Sequence, residues 1–361
     1  MKEMSKERNE EKTVLKDAPD IRKLAWDVDE PTYRSDHAFS YSTLARYAKE
    51  GFSKIDELYR HEETPSLLFG SMVDALVTGS EEEFEAKYAR DSSADITWTQ
   101  RTATKELYET HREAETMFDI PEEELKEVQM RNGLWHNGYK DSTNTSKFLS
   151  QCCGYFDMLK RTGDKVLVTA QDYDDALACY GAISDSPAAA LMLNRPADWF
   201  FGKEVHHQLK FRMTDEETGI DFRAMLDSVV VDHKTKEITP ADLKTSSGRE
   251  YMFPAAFVKW KYYIQGELYR HILKTKVESC PEFNGYTVKN FTFVVVNRES
   301  RTPLIWEYDC RHADWMEDWR ELAKSLSEQI TYGTELPIGV SQDCYNSITG
   351  FLDKEGRCTI K

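Results

Sequence analysis

The chain has 361 residues, of which 40% are hydrophobic and 12% aromatic, enough to build a sizeable core in one elaborated domain or two packed ones. Its formal charge of −17 argues against broad, non-specific nucleic-acid binding, although a local basic channel can coexist with an acidic exterior. No apolar run approaches the roughly 18 residues of a membrane span, and the seven cysteines, irregularly spaced and with no C-x-x-C pair, fit neither a disulfide framework nor a zinc or iron–sulfur site.

The N-terminal "MKEMSKERNEEKTVLKDAPD" lacks the apolar segment of a signal peptide and reads as a disordered charged leader over 1–30, with the cytoplasm as the expected compartment. Residues 31–198 read as mainly helical. "FSYSTLARYAKEGFSKIDELY" has helical periodicity. "TPSLLFGSMVDALVTG" follows, with Pro65 near its start and Gly79 at its end. Asp74 lies inside this apolar helix, where a carboxylate needs a partner or a metal. The stretch from 95 to 195 is expected to be mostly helix, with "HNGYKDSTNTSK" (136–147) as a polar loop.

The character changes near residue 199. "WFFGKEVHHQLKFRM", "IDFRAMLDSVVV" and "ITPADLKTS" are separated by the polar turns "TDEETG" and "HKTKE", which predicts a three-stranded meander. "FPAAFVKWKYYIQGELYRHILKT" reads as one long amphipathic helix. "YTVKNFTFVVVNRES" and "TPLIWEYD" read as further strands, and "ADWMEDWRELAKSLSEQI" as a closing helix before a tail over 336–361. The expected class is α/β (α+β): a central mixed sheet over 199–335, flanked by helices.

Within that sheet, Asp227 ends an alternating strand, and Asp242 and Lys244 share one face of the next, because positions i and i+2 of a strand point the same way. A D-x-K triplet alone is most simply a surface ion pair. Two aspartates on adjacent strands, however, repel unless a cation neutralises them. Magnesium, which prefers oxygen ligands and keeps several waters, would suit such a pair together with a substrate phosphate. Lys244 would then act on the attacking water and on phosphorane charge. Gln265 and Tyr269, four apart on the following helix, share a helical face.

This ordered set, a helix-borne acid, then Asp227, "D-x-K" and "Q-x-x-x-Y", resembles the RecB-type PD-(D/E)XK nucleases. "TPSLLFGSMVDALV" is similar to a segment of their phage RecE (exonuclease VIII) branch. The resemblance implies a restriction-endonuclease-like core with a helical N-terminal elaboration. It implies that Asp227 and Asp242 bind Mg²⁺ or Mn²⁺, with the Leu243 carbonyl and Asp74 as further ligands, and that Lys244 is catalytic. Gln265 and Tyr269 would position DNA or buttress the site. Glu204 would stand near the centre or face solvent. Asp74 stands where this branch often carries histidine, and Pro240 precedes Asp242 by two residues instead of standing beside Asp227.

The implied activity is a DNA exonuclease that works from double-stranded ends and supplies single strands to an annealing or recombinase protein, without a membrane and compatibly with a ring-like homo-oligomer. The alternative is a catalytically inactive nuclease fold that binds DNA or protein. An AddB- or CRISPR-adaptation-type nuclease with an iron–sulfur cluster is disfavoured by the missing cysteine trio. His206 and His207, being adjacent, point to opposite faces and read as structural; Trp260, Tyr262 and Tyr263 read as packing residues. Lys259, Lys261, Arg270, Lys274 and Lys276 make the helix after the D-x-K strand locally basic.

Overall fold

The computed structural model describes residues 18–51, 58–59, 64–91, 96–193, 202–313 and 316–332. The chain divides into two compact units, one from residues 1–62 and 181–361 and the other from residues 63–180. Among the described residues no single helix is long and apolar enough to cross a membrane. Cys152, Cys153, Cys179, Cys280 and Cys310 are all free thiols.

The first unit begins with helices α1 (Glu30–Ser35) and α2 (Tyr41–Glu50). The second contains α3 (Pro65–Thr78), α4 (Glu81–Lys87), β1 (Tyr88–Asp91), α5 (Trp98–Thr110), α6 (Glu122–Arg131), α7 (Asp141–Thr162) and β2 (Val166–Thr169), and α8 (Ala170–Asp185) leads out of it. The first unit then resumes with α9 (Pro187–Leu193), β3 (Lys203–Thr214), β4 (Asp221–Asp232), β5 (Glu237–Ser246), α10 (Phe253–Lys259) and α11 (Tyr262–Glu278). It closes with β6 (Thr287–Val288), β7 (Phe291–Asn297), β8 (Leu304–Tyr308) and α12 (Trp319–Tyr332).

The first unit is built on a mixed sheet of order β3-β4-β5-β7-β8, with β6 paired to β5. β3, β4 and β5 form the expected antiparallel meander. β7 runs parallel to β5, so the chain between them must cross over, and α10 and α11 make that crossing. α11 packs Ile264, Leu268, Ile272 and Leu273 on the face carrying Val229, Val231, Ile238 and Phe293. α9 accompanies β4 on the strand's other side through a hydrogen bond from Ser228 Oγ to the Met192 carbonyl (2.6 Å).

Three sequence expectations need correction. Within the leader assigned to 1–30, residues 18–30 are packed on the fold: Ile21 sits in a 3-10 turn, fully buried in the sheet core, and the Trp26 amide donates to the Lys210 carbonyl (2.7 Å). The N-terminal segment thus belongs with the sheet instead of with the helical part. Phe39 even bridges Phe222, exchanging backbone hydrogen bonds of 2.9 and 2.8 Å with Asp221 and Arg223. Second, the polar stretch 136–147 is a loop only to residue 140, because Asn144 of α7 closes it by hydrogen bonds to both backbone groups of His136. Third, the single helix expected after β5 is two helices. Lys261 adopts a left-handed conformation (φ 56°) between them, and the Tyr41 hydroxyl donates to the neighbouring Trp260 carbonyl (2.7 Å). The tail over 336–361 and the strand start at 199–201 lie outside the described residues.

The second unit pairs β1 with β2 in parallel. Its core gathers Leu107 of α5, Leu125 and Val128 of α6, and Phe148 and Phe156 of α7. Thr97 and Gln100 form a capping box that starts α5.

Candidate active site

The site grows from a fork in the sheet. β4 and β5 pair from Asp232↔Glu237 as far as Ser228↔Ala241 and then part. The next positions in this register are Asp227 and Asp242. Instead of a ladder bond, the Asp227 carboxylate enters the gap: its Oδ2 accepts the Leu243 N–H at 2.9 Å. A side chain thus takes the place of a strand backbone.

The partner strand explains why Asp227 is released from the ladder. Pairing of β3 with β4 is interrupted between His207↔Ser228 and Leu209↔Leu226, without any slip of register. Gln208, at the interruption, has φ 53°, a left-handed conformation uncommon for a non-glycine residue. On β4 the core-facing positions are Phe222, Ala224 and Leu226 before this point and Val229 and Val231 after it. The alternation therefore shifts by one residue at Asp227. His207 Nδ1 donates to the Asp227 carbonyl (3.1 Å) and holds the break.

On β5, Ile238, Asp242 and Lys244 share the face covered by α11. Asp242 lies opposite Phe293 and Lys244 opposite Val295. Asp242 is 3% exposed. Gln265 of α11, 4% exposed, donates from Nε2 to Asp242 Oδ1 at 2.6 Å. Lys244 Nζ makes an ionic contact of 2.6 Å with Asp242 Oδ2 and lies 4.6 Å from the Tyr262 ring centroid. Despite that contact, Asp242 Oδ2 accepts no aligned hydrogen bond, and Gln265 Oε1 is also buried without a hydrogen-bond partner. Gln265 Oε1, buried beside this ion pair with no partner, is a lone pair left to be accounted for.

Burial works against the Lys244 ammonium, but the nearby Asp242 and Asp227 carboxylates and the Tyr262 phenol outweigh it and hold its pKa above the ordinary lysine value. Lys244 is therefore a fixed cation in this state. Around it stand neutral phenols. Burial drives the pKa of Tyr269 well above its usual value, reinforced by Tyr33, Asp242, Tyr41 and Asp227. Burial does the same to Tyr41, with Tyr262 and Asp242 adding to it. Tyr33, hydrogen-bonded to Tyr269, is pushed up to about 12, chiefly by burial.

The fold thus gathers Asp227, Asp242, Leu243, Lys244, Gln265 and Tyr269. It does not bring Glu204 to them. Glu204 pairs with Val231, four residues along β4 from Asp227, and meets His206 Nε2 at 2.9 Å and His233 Nε2 at 3.5 Å. Hydrogen bonds from these two histidines hold its carboxyl far below the usual range. Asp74 belongs to the other unit and is half-buried on α3, less enclosed than the apolar sequence around it suggests; its carbonyl accepts the Thr78 hydroxyl at 2.9 Å. Tyr33 and Tyr41 escaped the sequence reading because they lie just over two hundred residues from the D-x-K triplet with no periodic signal to tie them to it. Tyr262 was visible in the sequence but read as packing.

Among the described residues no group of three His, Cys, Asp or Glu side chains is arranged to hold a metal ion. The fork instead offers oxygen donors of mixed kind: the Asp227 and Asp242 carboxylates and Gln265 Oε1. The Leu243 amide is turned toward β4, and the carbonyl of the same residue points to that edge as well. This donor set suits a hard cation that retains part of its water shell. No protein-family model matches the chain, and no curated protein matches it.

Proposed function

We propose that the first unit is a Mg²⁺- or Mn²⁺-dependent deoxyribonuclease of the PD-(D/E)XK type, an exonuclease that hydrolyses phosphodiester bonds from duplex DNA ends. One observation carries this reading. At the fork, a buried aspartate is met by the Lys244 ammonium and the Gln265 amide, and a second aspartate, on the adjacent strand, turns its carboxylate onto the residue between Asp242 and Lys244. A purely structural ion pair has no need of the second carboxylate.

In this mechanism Asp227, Asp242 and the Leu243 carbonyl would hold the cation. When bound, the cation supplies positive charge that activates water and offsets charge on the phosphoryl oxygens. Gln265 fixes the rotamer of Asp242. Lys244 contributes a permanent ammonium that orients the attacking water and stabilises the phosphorane as the P–O bond to the departing strand breaks. The neutral tyrosines enclose the carboxylates without adding negative charge.

A catalytically inactive nuclease fold that binds DNA or protein is the second reading. It is favoured by the closure of Lys244 onto Asp242, which leaves both groups charge-paired without any ligand. The two readings part in one assay, on end-labelled linear duplex and covalently closed circular DNA with Mg²⁺, Mn²⁺ or excess chelator. Metal-dependent loss of linear DNA alone supports the exonuclease. Cleavage of closed circles would make it an endonuclease, cleavage in chelator would remove the metal from the mechanism, and no cleavage in any arm would leave the binding module.

A further inference from the structure

Residues 63–180 carry 23 Asp and Glu against 12 Lys and Arg, so a cation-lined hollow in this unit runs against its composition. Such a hollow of about 260 Å³ opens beside α5. Four of the 12 basic residues line it (Arg101, Lys105, Arg112 and Lys165) but only two of the 23 acidic ones, Glu109 and Asp164.

Along α5, Trp98, Arg101, Lys105 and Tyr108 recur at spacings of three or four, a helical stripe that carries two rings and two cations, and Arg112 follows just beyond the helix end. Tyr155 and Leu159 of α7 form the opposite wall, and Lys165 stands at the entry to β2. The guanidinium of Arg101 lies over Tyr155 (4.9 Å) and that of Arg112 over Tyr108 (5.7 Å). These cations are not equally committed. Arg101 is closed on the buried Asp91. Arg112 reaches Asp164 only at 4.0 Å with both side chains exposed. Lys165 donates to the Glu85 carbonyl at 2.9 Å and has no carboxylate partner among the described residues. Trp98, half-buried, enters no ring–ring or cation–ring contact among them.

We propose that this hollow binds a nucleotide, with the base against Trp98 and the phosphate toward Arg112 and Lys165. A bare anion would need no indole, and an apolar ligand would need no cationic rim. The volume falls just below the usual range for drug-sized ligands, which suits one nucleotide unit and not an extended strand. Free mononucleotide and the terminal unit of a single strand share this chemistry. The binding depends on no part of the proposed nuclease site.

The test is fluorescence anisotropy of the full chain with a labelled single-stranded oligothymidylate in excess chelator, which silences metal-dependent hydrolysis. Saturable binding that weakens with salt is expected. Trp98→Ala and the exposed Arg112→Glu should each weaken it about tenfold, the scale of one lost base–aromatic stack, while Lys324→Ala on α12, outside both sites, should leave it unchanged. Displacement by thymidine monophosphate would show that a free nucleotide suffices; displacement by unlabelled oligonucleotide alone would assign the end of a strand. The proposal is overturned if the wild type does not bind, if both pocket variants bind as the wild type does, or if inorganic phosphate competes as well as thymidine monophosphate.

Discussion

Gln265 and Asp242 are joined by a hydrogen bond of 2.6 Å from Nε2 to Oδ1, between a helix and a strand whose residues stand 23 positions apart. Both side chains are buried, so the bond fixes the carboxylate at the fork, and its loss cannot be made good by bulk water. Gln265→Ala should cost about 1–3 kcal/mol in urea unfolding, the desolvation penalty of a stranded polar group. Gln265→Glu keeps the volume but sets a carboxylate against Asp242, and should cost at least as much at pH 7. If the proposed nuclease reading holds, both variants lose turnover. A Gln265→Ala protein as stable and as active as the wild type would show the bond to be incidental.

Lys244 and the two aspartates should separate in metal titrations followed by thermal melting. Asp227→Asn and Asp242→Asn should reduce the Mn²⁺-induced rise in Tm, because binding to the folded state alone is what raises it. Lys244→Ala should act in the opposite sense. Without metal it leaves Asp242 as an unpaired buried charge, destabilising by about 3–5 kcal/mol. With metal, the cation no longer competes with the ammonium, so the Tm rise should exceed that of the wild type while hydrolysis is abolished. A Tm rise equal in all four proteins would place the metal elsewhere.

Gly266 follows Gln265 on α11 at a point where the helix lies close against β8. A Cβ there would sit 2.7 Å from Tyr308 Cδ1 and 3.2 Å from its Cε1. The Tyr308 ring cannot retreat freely, since its hydroxyl donates to Glu267 at 2.5 Å. Gly266→Ala should therefore destabilise by about 1–3 kcal/mol through overpacking, despite alanine's better helix propensity. Urea midpoints of the two proteins decide it, and a neutral or stabilising result would mean that the helix can shift outward.

Asp215, 2% exposed, receives Arg320 Nη2 at 2.9 Å and the Thr218 amide at 3.0 Å in the β3–β4 turn. Burial pushes its carboxyl upward, but the bonds from Arg320 and Thr218 outweigh this and leave the pKa below 3.8. A carboxyl depressed on folding contributes stability that is fully present above its unfolded pKa and lost as pH falls through its folded value. Asp215→Asn should thus cost about 2 kcal/mol at pH 7, the scale of hydrogen bonds to a charged group. The gap between variant and wild type should narrow progressively below pH 3.8. A gap that stays constant from pH 7 to pH 2.5 would rule out the ionised carboxylate as its source.

Much of the first unit could be read from local pattern. Alternation with period two marked β3, β4 and β5, the polar turns fixed their antiparallel order, and i, i+2 geometry put Asp242 and Lys244 on one face, where the fold also has them. The spacing of four between Gln265 and Tyr269 likewise placed both on the sheet-facing side of α11, where they are buried. These properties belong to a few consecutive residues, so sequence alone determined them. What only the tertiary structure decided depends on single torsions and on partners far away in the chain. One left-handed residue, Gln208, breaks the pleat and frees Asp227 for Leu243, and another, Lys261, divides the crossing helix. Tyr33, Tyr41 and Phe39 join the sheet unit through contacts made across roughly two hundred residues, and Glu204 goes to His206 and His233 because the register opposite Val231 carries it there. No hydrophobic period encodes a positive φ at a non-glycine residue or the meeting of two remote segments. Both are fixed by the packing of the whole sheet.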